Sequence, residues 1–331
     1  MQNIKPKLLL YFSWLFLFAC ESTDSFENNV EGNPQPITSI NPVKTSSIVI
    51  LGTCQDAGSP HINCQKKCCA TLKANKDNSR LVVSLGIVDT DKKQRFLIEA
   101  SPNMNEQISD LHKHAGFGED DIPDGIFVTH AHIGHYTGLM QLGKEGCNAQ
   151  GVKVMAMPKM VNYLSSNGPW DQLVNYQNIK LIELNNRQAF AANENISITP
   201  IQVPHRDEYS ETVGFQITGP NKSALFIPDI DKWDRWEDNI VEWVAKVDYL
   251  LIDGTFYDEN ELDNRNMNEI PHPFVVESMS LFDQLSDNEK DKIYFIHINH
   301  SNPLLNEESA EYKKVISSGY HIAKKGDVLP L

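Results

Sequence analysis

The chain has 331 residues, room for one large α/β domain or two small ones. Hydrophobic residues make up 40% and charged residues 22%, which excludes a disordered or fibrous chain. With 29 Lys+Arg against 44 Asp+Glu the formal net charge is −15, and so acidic a surface argues against a nucleic-acid partner, which needs a basic stripe.

Residues 1–19 begin with Lys5 and Lys7 and pass into an apolar run from Leu8 to Ala19. That run is too short to span a bilayer comfortably and fits the core of a signal peptide. It ends Leu17-Phe18-Ala19-Cys20, similar to the bacterial lipobox, although Phe18 is bulkier than usual there. Cys20 is then the lipidated first residue of the mature chain, and residues 20–46, polar and containing Pro34, Pro36 and Pro42, form a flexible tether. An ordinary signal peptide with an incidental cysteine is the alternative. Either way the chain is exported, and the expected product is a bacterial lipoprotein facing the periplasm or the cell surface.

Residues 47–331 show no second linker, repeat or low-complexity tract and read as one domain. Strands are predicted at Ile48–Leu51, Leu81–Val88, Phe96–Ile98, Ile126–Val128, Val152–Met157, Ile196–Val203, Thr212–Ile217, Ala224–Ile227, Tyr249–Ile252 and Ile293–Ile296. Helices are predicted at Met104–His114, Tyr136–Leu142, Trp236–Val247, Val275–Leu285 and Glu307–Ser318. Consecutive strands early and helices between later ones indicate an α/β (α+β) sandwich of mixed sheets rather than a doubly wound parallel sheet.

Most of the histidines after residue 125 fall where strands should end. The densest group is Thr129-His130-Ala131-His132-Ile133-Gly134-His135-Tyr136. In extended backbone His130 and His132 point the same way, and the helix start turns His135 back towards them. Three converging imidazoles suit a borderline-soft ion such as zinc or iron.

This segment resembles the H-x-H-x-D-H signature of metallo-β-lactamase-fold hydrolases. The resemblance covers residues 47–331 and implies a four-layer αββα sandwich. It makes His205, in Val203-Pro204-His205-Arg206, the third histidine of a first metal site, and Asp229 the bridging carboxylate. It makes His300, in His297-Ile298-Asn299-His300, the last histidine of a second site beside His135. Within that family Leu51-Gly52-Thr53, Pro60, Cys64, Thr137-Gly138-Leu139, Asp253-Gly254-Thr255 and His297 to Pro303 are similar to pyrroloquinoline quinone biosynthesis protein B. They are more distantly similar to the cyclic phosphodiesterase of the carbon–phosphorus lyase pathway. The export signal and the full-looking set of metal histidines set the chain apart as a sub-branch.

Gly134 departs from the signature, standing where an aspartate ligand is expected, with Asp231 as a candidate substitute. His272, stiffened by Pro271 and Pro273, matches a histidine of the quinone-pathway relatives and is read as a substrate contact or proton donor. A core or capping role is the alternative. Arg206 can meet an anionic substrate group or form a surface ion pair. Those relatives also carry a cysteine cluster completed by a late histidine into a structural zinc site. Cys64, Cys68 and Cys69 with His297 would fill it here, and disulfide bonding in an oxidising compartment is the competing reading.

The leading expectation is a membrane-anchored hydrolase with one or two active-site Zn2+ ions and one structural one, acting on a small-molecule phosphodiester or other ester. Asp229 and His272 would serve as its catalytic residues. Two other readings stay open: an iron-dependent, oxygen-using enzyme like the quinone-pathway relative, and a non-catalytic lipoprotein that binds a metal or ligand. In that last reading Trp170, Trp233 and Trp236 would wall a binding pocket rather than pack in the core. Substrate and oligomeric state are not legible in the sequence.

Overall fold

Ser47–Gly52 (β1) reads Ser-Ile-Val-Ile-Leu-Gly and is buried along its whole length. Its side chains alternate between two cores, Ile48 and Ile50 facing one and Val49 and Leu51 the other. A strand apolar on both faces must be covered on both, and this sets the layering. The computed structural model describes residues 40–262 and 270–331. The leader and Cys20 lie outside them.

After β1 come Lys67–Ala74 (α1), Ser84–Asp89 (β2), Gln94–Ile98 (β3), Met104–Ala115 (α2), Gly125–Phe127 (β4), Ile133–Tyr136 (α3), Val152–Ala156 (β5), Pro158–Ser166 (α4), Trp170–Asn175 (α5) and Ile179–Glu183 (β6). The second half runs Phe190–Ala191 (β7), Ser197–Gln202 (β8), Val213–Thr218 (β9), Ser223–Ile227 (β10), Ile240–Val244 (α6), Tyr249–Asp253 (β11), Val275–Leu281 (α7), Asp287–Lys290 (α8), Ile293–Ile296 (β12), Ala310–Ser317 (α9), His321–Ile322 (β13) and Val328–Pro330 (β14).

The strands make two seven-stranded sheets, ordered β14-β1-β2-β3-β4-β5-β6 and β13-β12-β11-β10-β9-β8-β7. Both are mixed. The first is antiparallel from β14 to β3 and parallel from β3 to β6. The second is antiparallel from β7 to β10 and parallel from β10 to β13. Between the sheets lies a core that includes Ile50, Ile87, Phe127, Phe215, Phe226 and Leu251. The outer face of the first sheet is covered by helices such as α2, whose Met104, Ile108, Leu111 and Ala115 recur at helical spacing on one buried face. The second sheet is covered by α6, α7 and α9 through Val244, Val275 and Val315. The result is the four-layer αββα sandwich of mixed sheets.

All ten expected strands form, with boundaries shifted by a few residues. The strands not foreseen are β6, β7, β13 and β14, and β7 and β13 have only two residues each, too few for a period to show. The helix expected over Trp236–Val247 shortens to α6. The Asn239 side chain accepts a hydrogen bond from the Val241 N–H and caps the helix there, while the Trp236 indole donates to the Gln202 carbonyl, 3.0 Å away, in the bend before it. The helix expected over Tyr136–Leu142 starts earlier, as α3, and continues as a 3-10 turn over Thr137–Leu142. Among the described residues no helix is long and apolar enough to cross a membrane.

Candidate metal centre

The parallel strands deliver their carboxyl ends to one edge of the sandwich, where open α/β sheets bind ligands. Phe127 ends β4, and the chain then carries His130 and His132 into α3, whose His135 is fully buried. β8 runs out into His205, β10 into Asp229 and β12 into His297, while Asp253 closes β11. Asp56 arrives from the loop after β1.

Asp229 sits at the centre of this edge. Its carboxylate oxygens lie 3.4 Å from His130 Nε2, 3.2 Å from His205 Nε2, 3.2 Å from His272 Nδ1, 3.8 Å from His135 Nε2 and 3.9 Å from His132 Nδ1. Three sets of donors around it can each hold a metal ion: His130, His132, His205 and Asp229; Asp56, His135, Asp229 and His297; Asp229, Asp253, His272 and His297. Among the described residues several of these buried atoms have no hydrogen-bond partner, namely both nitrogens of His205, Asp229 Oδ1 and His297 Nε2. Buried polar atoms are rarely left so, and ions held by these sets would satisfy His205 Nε2, Asp229 Oδ1 and His297 Nε2, while His205 Nδ1 faces Asp231. The donor set fits a metal.

The surrounding hydrogen bonds settle which nitrogen His130 and His297 offer. The Thr129 hydroxyl donates its one hydrogen to Glu99, so the 2.9 Å contact between Thr129 Oγ1 and His130 Nδ1 has the ring N–H donating. His130 Nε2 is then left with a lone pair aimed at the centre. Thr255 repeats the device: its hydroxyl donates to Asp253 at 2.6 Å, so His297 Nδ1–H donates to Thr255 at 2.8 Å and Nε2 is free. His135 Nδ1 reaches the Glu99 carboxylate at 3.0 Å, and His272 Nδ1 reaches Asp253 at 2.8 Å. Glu99 is buried and held at a left-handed φ of 71°.

Titration follows the same geometry. Burial and the neighbouring His135 hold His130 well below the usual histidine range, which keeps it neutral. Burial also pushes His135 down, but Glu99 and Asp56 outweigh it and bring His135 well above that range. For His272 burial is again opposed by Asp253 and Asp229, and the pKa is pushed up to about 9. The carboxylates demand positive charge that bare imidazoles meet only by taking up protons.

A second cluster joins α1 and the loop before it to the loop after β12. Cys64, Cys68, Cys69 and His300 bring four ligand atoms together, with 3.8 Å between the sulfurs of Cys64 and Cys68 and 4.0 Å between those of Cys68 and Cys69. His61 stacks on the His300 ring at 4.3 Å between centroids. Burial, with the charges of His61 and Lys66, pushes His300 down to about 4, leaving a neutral imidazole.

Residues 94–298 match the model of the beta-lactamase superfamily domain. The chain belongs to that superfamily. Its fold is the metallo-β-lactamase sandwich, and it resembles coenzyme PQQ synthesis protein B. The Acinetobacter baylyi protein of that name is 28% identical over 290 residues, 80% of this chain and 93% of the relative. Among solved structures, zinc-bound PqqB from Methylobacterium extorquens superposes with a TM-score of 0.70 at 23% identity, over 86% of this chain and 100% of that one. A diphosphatase from the PhnP family superposes with a TM-score of 0.60 at 20% identity, over 86% of this chain and 98% of that one.

Against the superfamily signature, the structure brings His130, His132, His135, His205, Asp229 and His272 to one place. It exchanges the two late histidines. His297, expected with the cysteines, enters the central cluster; His300, expected at the second metal position, faces Cys64, Cys68 and Cys69. The reason is local. His297 adopts a left-handed φ of 62°, which turns it in beneath Asp229 at the end of β12. Asn302 then ties the following loop to the Gly254 and Thr255 carbonyls, at 2.9 and 3.2 Å, so that His300 lies across from the cysteine loop. Asp231 stands 3.4 Å behind His205 Nδ1, not at the position Gly134 left open. Arg206 lies 3.7 Å from Glu208, an exposed ion pair. Trp170, Trp233 and Trp236 pack in the outer cores. Asp56 and Glu99 were missed. Neither sits in a recognisable spacing, and the one available signal for Asp56 was the glycine at position 134.

Proposed function

We propose that the chain is a zinc-dependent hydrolase acting on a phosphodiester or related ester of a small molecule. The carrying observation is the cluster of His130, His132, His205 and Asp229, with Thr129 leaving the proton of His130 on Nδ1 and the lone pair on Nε2, 2.8 Å from His132 Nδ1. The zinc in the PqqB structure and the diphosphatase activity named for the PhnP-family structure support the same reading.

A bound zinc supplies Lewis acidity and a water whose pKa falls to near 7. The remaining chemistry belongs to the chain. Asp229 presents both oxygens to the centre and can hold a proton or orient a water there. His272 is held by Asp253 through Nδ1, 2.8 Å away, and keeps a proton available for a leaving group. Glu99 and Asp253 stand behind the histidines as buried counter-charges. Cys64, Cys68, Cys69 and His300 hold a separate, structural zinc. The sulfur separations support this over a disulfide, whose bond is about 2.05 Å. In this reading Cys20 carries the lipid, the enzyme is exported and membrane-anchored, and its acidic surface takes no nucleic acid.

The test is metal content by elemental mass spectrometry on wild type and the His130→Ala/His132→Ala double variant, with a phosphodiester and ester panel. The expected result is zinc in the wild type, loss of at least one equivalent in the variant with the cysteine-held zinc retained, and turnover that disappears with it. Iron at the mutation-sensitive position would replace hydrolysis with oxygen chemistry. Full zinc occupancy without turnover of any panel member would leave a binding protein.

A further inference from the structure

Gly134 occupies the second position of the four-residue helix α3. It is not among the residues with positive φ, so no backbone conformation requires it. Space does. A Cβ at position 134 would lie 2.5 Å from both the Cα and the Oδ1 of Asp56, closer than side-chain carbons come to any neighbour. An aspartate at position 134 and Asp56 in its present place exclude each other.

We infer that Asp56 supplies, from the loop after β1, the carboxylate ligand that the superfamily signature carries at position 134, and so completes a second metal site with His135, His297 and Asp229. The inference rests on the metallohydrolase reading and deepens it. Asp56 Oδ1 lies 2.9 Å from His135 Nε2 and 3.5 Å from His297 Nε2, and Asp229 Oδ2 lies 3.8 Å from His135 Nε2. His297 Nε2 is buried, lacks a hydrogen-bond partner among the described residues and points into this set. Backbone bonds hold Asp56 to the loop that carries His297: Ile298 N–H donates to the Thr53 carbonyl at 2.7 Å, and Gln55 N–H to the Ile298 carbonyl at 3.0 Å. A carboxylate moved away in sequence thus returns to the same point in space, and the site keeps two anionic ligands and two imidazoles, a set suited to zinc.

The experiment counts zinc equivalents in four proteins: wild type, Asp56→Asn, Asp56→Ala and Gly134→Asp. Circular dichroism checks the fold, and a His130→Ala sample reports the first site separately. Asp56→Asn and Asp56→Ala are each expected to lose one equivalent while the zinc sensitive to His130→Ala remains. Gly134→Asp is expected to lose metal or folded yield, because the added Cβ meets the Asp56 Cα as well as its carboxylate. A wild-type complement in a folded Asp56→Asn or Asp56→Ala protein overturns the inference. If Asp56→Asn does not fold, Asp56→Ala decides by the same criterion. Loss of the His130-sensitive zinc from the wild type itself would instead sink the hydrolase reading, a distinguishable failure.

Discussion

Thr129 and Thr255 each have one hydroxyl hydrogen, and each spends it on a buried carboxylate, Glu99 or Asp253. The imidazole behind each hydroxyl must therefore be the donor, which fixes its tautomer before any metal arrives. Thr129→Val and Thr255→Val should each weaken zinc binding by about 10- to 100-fold, whereas Thr→Ser at the same positions should stay near wild type. Competition against a chromophoric chelator measures this. Equal zinc affinity in the valine and serine variants would remove the positioning role. A purely packing role predicts the opposite pattern, because valine fills the threonine volume and serine does not.

At the scale of elements, α1 has little of its own to hold it. It has eight residues, only Cys69 is buried, and its N-cap Lys66 makes no side-chain capping bond. A helix so short is marginal without tertiary support. Cys68 and Cys69 on this helix, Cys64 before it and His300 from the loop after β12 provide the fastening if they share an ion. Cys64→Ser is expected to lose one zinc equivalent and lower the melting temperature while the zinc sensitive to His130→Ala stays bound. His300→Ala should match it, and His297→Ala should not, because His297 lies in the central cluster. Differential scanning calorimetry beside metal analysis separates the cases. A His297→Ala protein that loses the cysteine-held zinc would restore the assignment first expected from the sequence.

At the scale of the whole molecule, the site is an edge between two sheets and depends on their packing. Phe127 ends β4, the strand that leads to His130, and meets Phe215 of β9 edge-on, with ring centroids 5.9 Å apart at 73°. Both are fully buried between the sheets. Phe215→Ala should cost about 3–5 kcal/mol. Urea unfolding should show the midpoint falling with an unchanged slope. A loss below about 1 kcal/mol would mean that the sheets close over the cavity, and that this contact does not set their spacing.

Local sequence marked ten of the strands, because runs such as Ile48–Leu51 and Leu250–Ile252 are apolar on consecutive residues and can only be buried on both faces. It also determined the histidine-rich strand ends, since the period of two puts His130 and His132 on one side whatever surrounds them. Tertiary structure decided the rest. The exchange of His297 and His300 turns on one left-handed residue and a three-residue offset, which no periodicity encodes. The ladder of β14 on β1 joins the two ends of the domain, and nothing local in Val328–Pro330 announces its partner. Asp56 lies 79 residues before His135, and only the folded loop brings the two within 2.9 Å. Local pattern fixes which way a side chain faces along its own strand or helix. Which distant group it meets depends on how the sheets and loops close around it.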